Sequence, residues 1–478
     1  MTDTAGPDDL LVANGIDGDT GGYLTPMVPL AQIAHALRGE LAPGDRDLRR
    51  RQQEDEDHFG VVYGRNPEDL GSVGWGVVIP PGLDPDMLEA LDPLIRLREE
   101  QADGLFRRLD LRNGEDKDDF LSRHGMGPSV VDPRKVPYYL LLLGSPGEIP
   151  FDFQYQLGVS YAVGRLDLED ADACAAYAAT VVASERSLEA RPSASAAHRL
   201  HLFATRHPGD TPTALSASRL VQPLHDELRG AAQAWDLGAD VGVGATRMRL
   251  ADLLTGAAAP DVLFTATHGV GGRSAQRDLA GALLCQDWPG PLAGRGPVDE
   301  AHYLAAHHLP AETSVGPKVI FSFACFGAGT PQVSDYPGGP DGGGELAETG
   351  FTARLPQRLL GARAGGALAF VGHVDRAWSC SFLWKGLDAQ VTPFYSTMLA
   401  LMDGARLGSA MESLTSRYAE IATELTRRLD GLRRYGKRID DADLVGLWTA
   451  THDARAQVVL GDPAIRVATR GSAGLRTG

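Results

Sequence analysis

Short apolar runs, each closed off by glycine, proline or a small polar residue, constrain this chain most. Gly74 to Ile79, Tyr138 to Leu143, Val159 to Val163, Leu200 to Thr205, Val262 to Thr267, Val319 to Ala324, Ala367 to Val371 and Gln457 to Leu460 all read this way. A strand that is apolar on both alternating sets of side chains must be covered on both faces, as in parallel sheets flanked by helices. The intervening segments supply helices. Pro85 to Leu109 carries Leu88, Leu91, Ile95 and Leu97 on one pattern, and Asp170 to Leu188 is rich in alanine. Further helices are predicted at Ser216 to Arg229, Phe351 to Ala364 and, as two long amphipathic pieces, within Phe394 to Arg434. The expected class is α/β with mostly parallel sheets.

The strand–helix alternation falls into two series. Residues 1–73 form an N-terminal segment. Within it, Leu10 to Leu24 has β character broken by Asn14-Gly15 and Gly21-Gly22, and Arg38 to Asp57 reads as a mobile charged loop. Residues 74–195 hold the first series and residues 196–478 the second, with a loose linker at Arg191 to Ala197. At 478 residues, two or more packed units are expected.

Charge narrows the partners. With 45 basic against 63 acidic residues the net charge is −18, which opposes a broad grip on phosphate backbones or anionic lipid. Nucleic acid is not expected as a partner. Neither a membrane-spanning apolar run nor a secretory signal is visible, so a cytoplasmic location is expected. Four scattered cysteines, Cys174, Cys285, Cys325 and Cys380, form neither a disulfide framework nor a zinc pair.

Two of the strands end on reactive residues. Val262 to Thr267 runs into His268-Gly269, and Val319 to Ala324 runs into Cys325. The carboxyl ends of parallel strands are where ligands bind, because the loops leaving them converge over a crevice. If the two strands are neighbours, a thiol faces an imidazole there. A free cysteine is mostly protonated at neutral pH, and an adjacent histidine both activates it and later protonates a leaving amine. Gly269 lets its N–H approach a developing oxyanion, in partnership with the N–H of Cys325.

Thr267-His268-Gly269, Phe323-Ala324-Cys325 and Leu460-Gly461-Asp462-Pro463, together with Tyr138 to Gly144 and Tyr161 to Arg165, resemble the gingipain family of cysteine peptidases. That family belongs to the clan that also holds caspases. The resemblance runs roughly from Gly74 to Val467. It implies a caspase-like, gingipain-type three-layer sandwich in two tandem halves, the first a non-catalytic sister of the second. It also implies a catalytic dyad of His268 and Cys325, with Gly269 contributing to the oxyanion hole. Trp378 would wall the primary specificity pocket, with Asp375 and Arg376 near the same wall. Arginine-specific members place an acid on the pocket floor. The corresponding stretch, Thr211 to Ser218, has none, and Asp210 is the nearest substitute.

The expected function is thus an intracellular cysteine endopeptidase acting on protein substrates, without cofactor or metal. Its switch would be an activating protease, a regulatory partner or processing in the Gly-Pro-Asp stretch Tyr336 to Gly344 or the Arg38 to Asp57 loop, in a bacterial signalling or defence setting. Two alternatives stay open: a silent caspase-like scaffold, and a cysteine amidase or acyltransferase on small molecules. His302, His307 and His308 show no matching acid or cysteine spacing for a metal. Asp17 to Asp19 and Asp341 to Glu345 lack the alternation of a calcium loop.

Overall fold

The computed structural model describes residues 10–11, 13–24, 28–29, 61, 64–127, 130–190, 198–231, 234–257, 259–271, 274–292, 296–336, 344–384 and 386–470. Arg38 to Asp57, Arg191 to Ala197 and most of the stretch after Tyr336 lie outside them.

In chain order, β1 (Gly15–Ile16) is followed by β2 (Trp75–Ile79), β3 (Phe106–Asp110), β4 (Tyr139–Leu143) and β5 (Ala162–Leu166). Next come β6 (His198–Ala204), β7 (Trp235–Val241), β8 (Val262–Ala266), β9 (Gly269–Val270), β10 (Ala282–Leu284) and β11 (Tyr303–Leu304). The last are β12 (Val319–Phe323), β13 (Ala369–His373) and β14 (Gln457–Gly461). One ten-stranded sheet runs in the order β3-β2-β4-β5-β14-β13-β12-β8-β6-β7. Its strands are parallel throughout except at the β13/β14 seam, where Ala369 faces Gly461 in antiparallel register. The C-terminal strand β14 lies parallel to β5, so it extends the block built by the first strand series and joins it to the second. A four-stranded sheet, β11-β10-β9-β1, stands beside it.

β4, β5, β8, β12 and β13 are buried at every residue, as mainly apolar strands covered on both faces are, and Arg165 in β5 is satisfied by Gln154 and the Gly144 and Ile149 carbonyls. Helix Ala171–Ala190 packs on Pro85–Ala90 and Asp92–Ala102, and Glu412–Tyr435 packs on Thr392–Met402 and Asp441–Arg455. Among the described residues no helix is long and apolar enough to cross a membrane.

Several boundaries differ from expectation. The helix predicted over Pro85 to Leu109 stops at Ala102, where Asp103 and Gly104 both turn to positive φ, and the remainder forms the edge strand β3. Arg107 and Arg108 on that edge discourage pairing with another chain. Phe351–Thr352 is a short strand, so the helix there spans only Arg354–Leu360. Three helices rather than two fill 392–435, and Asp441–Arg455 adds another.

A buried ionic network ties the carboxyl-terminal strand to the first strand block. Arg98 Nε donates to Asp462 Oδ2 at 2.7 Å and Nη2 to Glu185 Oε1 at 3.0 Å, while Trp75 Nε1 donates to Asp462 Oδ1 at 3.0 Å. Burial alone would lower the Arg98 pKa, but the two carboxylates outweigh it and raise it. The Gly461-Asp462-Pro463 turn is thereby a structural anchor.

Candidate active site

β8 and β12 are adjacent and parallel, with Val262 opposite Val319 and Ala266 opposite Phe323. His268 and Cys325 leave the same edge of neighbouring strands and are both buried. The chain turns sharply after Cys325, where Phe326 takes φ 56°, a conformation side chains rarely adopt. Gly269 passes so close to the Cys325 carbonyl that any Cβ there would collide with it. The N–H groups of Gly269 and Cys325 converge on one acceptor, the backbone oxygen of Asn14, at 3.0 Å each.

His268 is held through Nε2, which lies 2.9 Å from Asp210 Oδ2. A carboxylate only accepts, so Nε2 carries a proton, and in the neutral ring Nδ1 is left as the basic atom. Nδ1 has no hydrogen-bond partner among the described residues. Asp210 caps the helix that starts at Thr211 and accepts from the Thr213 N–H at 3.3 Å and the Thr213 hydroxyl. Tyr23 donates to its other oxygen at 2.6 Å. Burial alone would raise the Asp210 pKa, yet the His268 charge and these hydrogen bonds hold it well below the usual carboxylate range. Edges and faces of Tyr23, His207 and Trp288 surround the His268 ring.

Cys325 Sγ accepts the Ala377 N–H at 3.3 Å. It forms no hydrogen bond with His268, whose Nδ1 is unpartnered. Burial pushes the thiol up to about 12, with the Ala377 hydrogen bond pulling the other way. Cys174, Cys285 and Cys380 are raised by burial too, so titration does not single out Cys325. What does is its backbone N–H on Asn14 and the segment lying against its sulfur. A Cβ added to Gly15 would fall 3.1 Å from Sγ and 3.0 Å from the Cys325 Cβ. The cover over the thiol therefore includes residues 14 and 15.

The other expected residues are placed as follows. Asp210, expected as a substrate contact, is committed to His268, Tyr23 and Thr213. Trp378 lies beside the site, pairing in antiparallel fashion with Ala13, and its N–H donates to Asp453 Oδ1 at 2.8 Å. Asp375 and Arg376 both reach Ser334, holding the loop before Tyr336. Arg376 also lies over the Tyr336 ring, 5.6 Å from its centroid. Glu300 was missed by sequence spacing: its carboxylate lies 2.9 Å from Nε2 of His307 and of His308. Asn14, Ser216 and Ala377 were missed too. Only the Asn14-Gly15 dipeptide carried a signal, and it read as a turn.

No family model matches this sequence, and no curated protein matches it either. Among solved structures, the chain is similar to one of a protease, with 12% identity, a TM-score of 0.47, and coverage of 82% of this chain and 78% of that one. It is also similar to the complex of Porphyromonas gingivalis RgpB pro- and mature domains, with 11% identity, a TM-score of 0.41, and coverage of 82% and 79%. At such TM-scores neither likeness bears on what this chain does.

A cavity of about 60 Å³ lined by Tyr155, Val159, Tyr418 and Arg455 touches none of the residues around Cys325. The two N–H groups meet at the Asn14 carbonyl, the Cys325 sulfur lies against Gly15, and His268, paired with Asp210, follows the end of the neighbouring strand β8.

Proposed function

We propose that this chain is a caspase-like cysteine endopeptidase that hydrolyses peptide bonds through a thioester on Cys325. His268 Nδ1 would take the thiol proton and return it to the leaving amine, and Asp210 would fix the tautomer that makes Nδ1 basic. The N–H groups of Gly269 and Cys325 would hold the oxyanion, a contribution typically worth roughly 10² to 10³ in kcat per donor. One observation carries this reading. Two N–H groups from the ends of neighbouring strands, one belonging to the cysteine itself, donate to a single peptide carbonyl at 3.0 Å.

The missing hydrogen bond between Cys325 and His268 fits this reading when a peptide bond lies between them, because the imidazole must also reach the leaving nitrogen. The test is to incubate wild type, Cys325→Ala and His268→Ala with a peptide library and to identify new termini by mass spectrometry. Cleavage by wild type alone is the expected result. Identical peptide patterns from all three, with wild type folded, would remove the reading in favour of a silent scaffold.

A further inference from the structure

Resting on that reading, we propose that the chain holds its own residues 13–16 as a substrate, that Cys325 cuts the Asn14–Gly15 bond, and that the site selects asparagine before the cut.

The backbone of this segment is bound on both sides of the Asn14 carbonyl. Ala13 pairs in antiparallel fashion with Trp378, and the Asn14 N–H donates to the Ala377 oxygen at 3.1 Å. The Asn14 oxygen receives Gly269 and Cys325, and beyond it β1 pairs in parallel with β9, Gly15 opposite Gly269. An extended chain crossing a cleft with main-chain pairing before and after one carbonyl is how a peptide is presented for attack.

The side chains narrow the choice. Asn14 is only 2% exposed, and its Nδ2 donates to Ser216 Oγ at 3.4 Å. Ser216 is itself buried, and its hydroxyl donates onward to the Thr213 oxygen at 3.3 Å, so a lone pair faces the incoming side chain. A carboxamide can donate to that lone pair, whereas an aspartate only accepts and would be buried without compensation. Ser216 sits at the start of a π-helical turn, Ser216–Val221, an irregularity often found at functional positions. Gly15 fits because a Cβ there would fall 2.9 Å from Leu24 Cδ1 and 3.1 Å from Cys325 Sγ.

In the reaction, the Cys325 proton passes to His268 Nδ1 as an Sγ–C bond forms at the Asn14 carbonyl. The C–N bond to Gly15 then breaks, and the same proton goes to the Gly15 nitrogen. Water attacks the thioester, giving up one proton to His268 and thence to Sγ, and leaves Asn14 with a free carboxylic acid whose proton passes to solvent. No electron is gained or lost overall. Until this happens the segment blocks the cleft. Afterwards the part from Gly15 onward keeps its pairing with β9 and its Tyr23 hydrogen bond to Asp210, while the part ending at Asn14 is no longer tied to it covalently and clears the cleft once its pairing with Ala377, Trp378 and Val28–Pro29 opens.

The test follows the purified full chain over time by intact mass and N-terminal sequencing, with an added peptide library as a parallel readout. Wild type is expected to acquire a new N-terminus at Gly15 and to cleave library peptides after asparagine. Cys325→Ala and Cys325→Ser should stay intact, which separates enzymatic scission from spontaneous chemistry at Asn-Gly. Asn14→Ala and Ser216→Ala should slow self-cleavage by about tenfold or more. Library cleavage after other residues, with Asn14–Gly15 uncut, overturns this inference and leaves the peptidase reading standing. Cleavage of neither the chain nor any peptide overturns both.

Discussion

Asp210 and His268 lie 58 positions apart in sequence, yet Oδ2 and Nε2 meet at 2.9 Å with both side chains fully enclosed. The contact assigns each atom a duty. The carboxylate binds the proton on Nε2, and the opposite nitrogen, Nδ1, has no hydrogen-bond partner among the described residues. Asp210 is further pinned by the helix it caps and by Tyr23, so the ring has little freedom to rotate.

Asp210→Asn tests this role as a positioning residue. Its amide can donate to Nε2 and favour the tautomer with the proton on Nδ1, as happens when the carboxylate of a catalytic triad is amidated. Peptide turnover should fall by roughly 10² to 10⁴ in kcat with KM much less changed. The pH profile should shift along with kcat, whereas a loss of folded protein alone would lower the rate without moving the profile.

Gly269→Ala should hurt both stability and rate. A Cβ at this position meets the Cys325 carbonyl, so the backbone must move and one N–H leaves the oxyanion position. Overpacking of this kind costs about 1 to 3 kcal/mol, and the lost donor about 10² to 10³ in kcat. Thermal melts and steady-state kinetics on the same preparation read the two effects separately.

Arg98→Ala leaves the carboxylate of Asp462 buried without its cation, while Glu185 keeps Arg466 at 3.4 Å and Arg406 at 3.8 Å. Breaking a buried pair from one side costs about 3 to 5 kcal/mol. The expected outcome is a large drop in the urea midpoint, with the kinetic constants of the surviving folded fraction unchanged. Replacement by methionine should be milder only when Asp462 is neutralised together with it.

Acid should destabilise the fold through two buried histidines. Burial holds His207 and His452 down to about 4. Between about pH 6.5, where an exposed histidine protonates, and about pH 4, the unfolded chain takes up protons that the folded chain refuses. Stability therefore falls as pH drops through this window, by up to about 1.4 kcal/mol per pH unit for each group. Melting temperatures measured from pH 8 to pH 5 should decline below about pH 6.5, and His452→Gln should flatten the slope.

Much of this protein was legible in its sequence for a local reason. Val262 to Ala266 and Val319 to Phe323 are short runs apolar on both alternating faces, and their length and bounding residues mark them as strands covered on both sides that end where the runs end. His268, Gly269 and Cys325 follow from those ends. The role of Asp210 did not follow, because a carboxylate's partner depends on which loop crosses which strand edge. β14 joining β5 to β13 was equally unreadable, since pairing across hundreds of residues leaves no mark on local periodicity. Asn14-Gly15 shows the difference most sharply. By itself the dipeptide favours a turn. Only tertiary structure lays it out extended, where the N–H groups of Gly269 and Cys325 supply the partners that a turn would otherwise have provided within the segment.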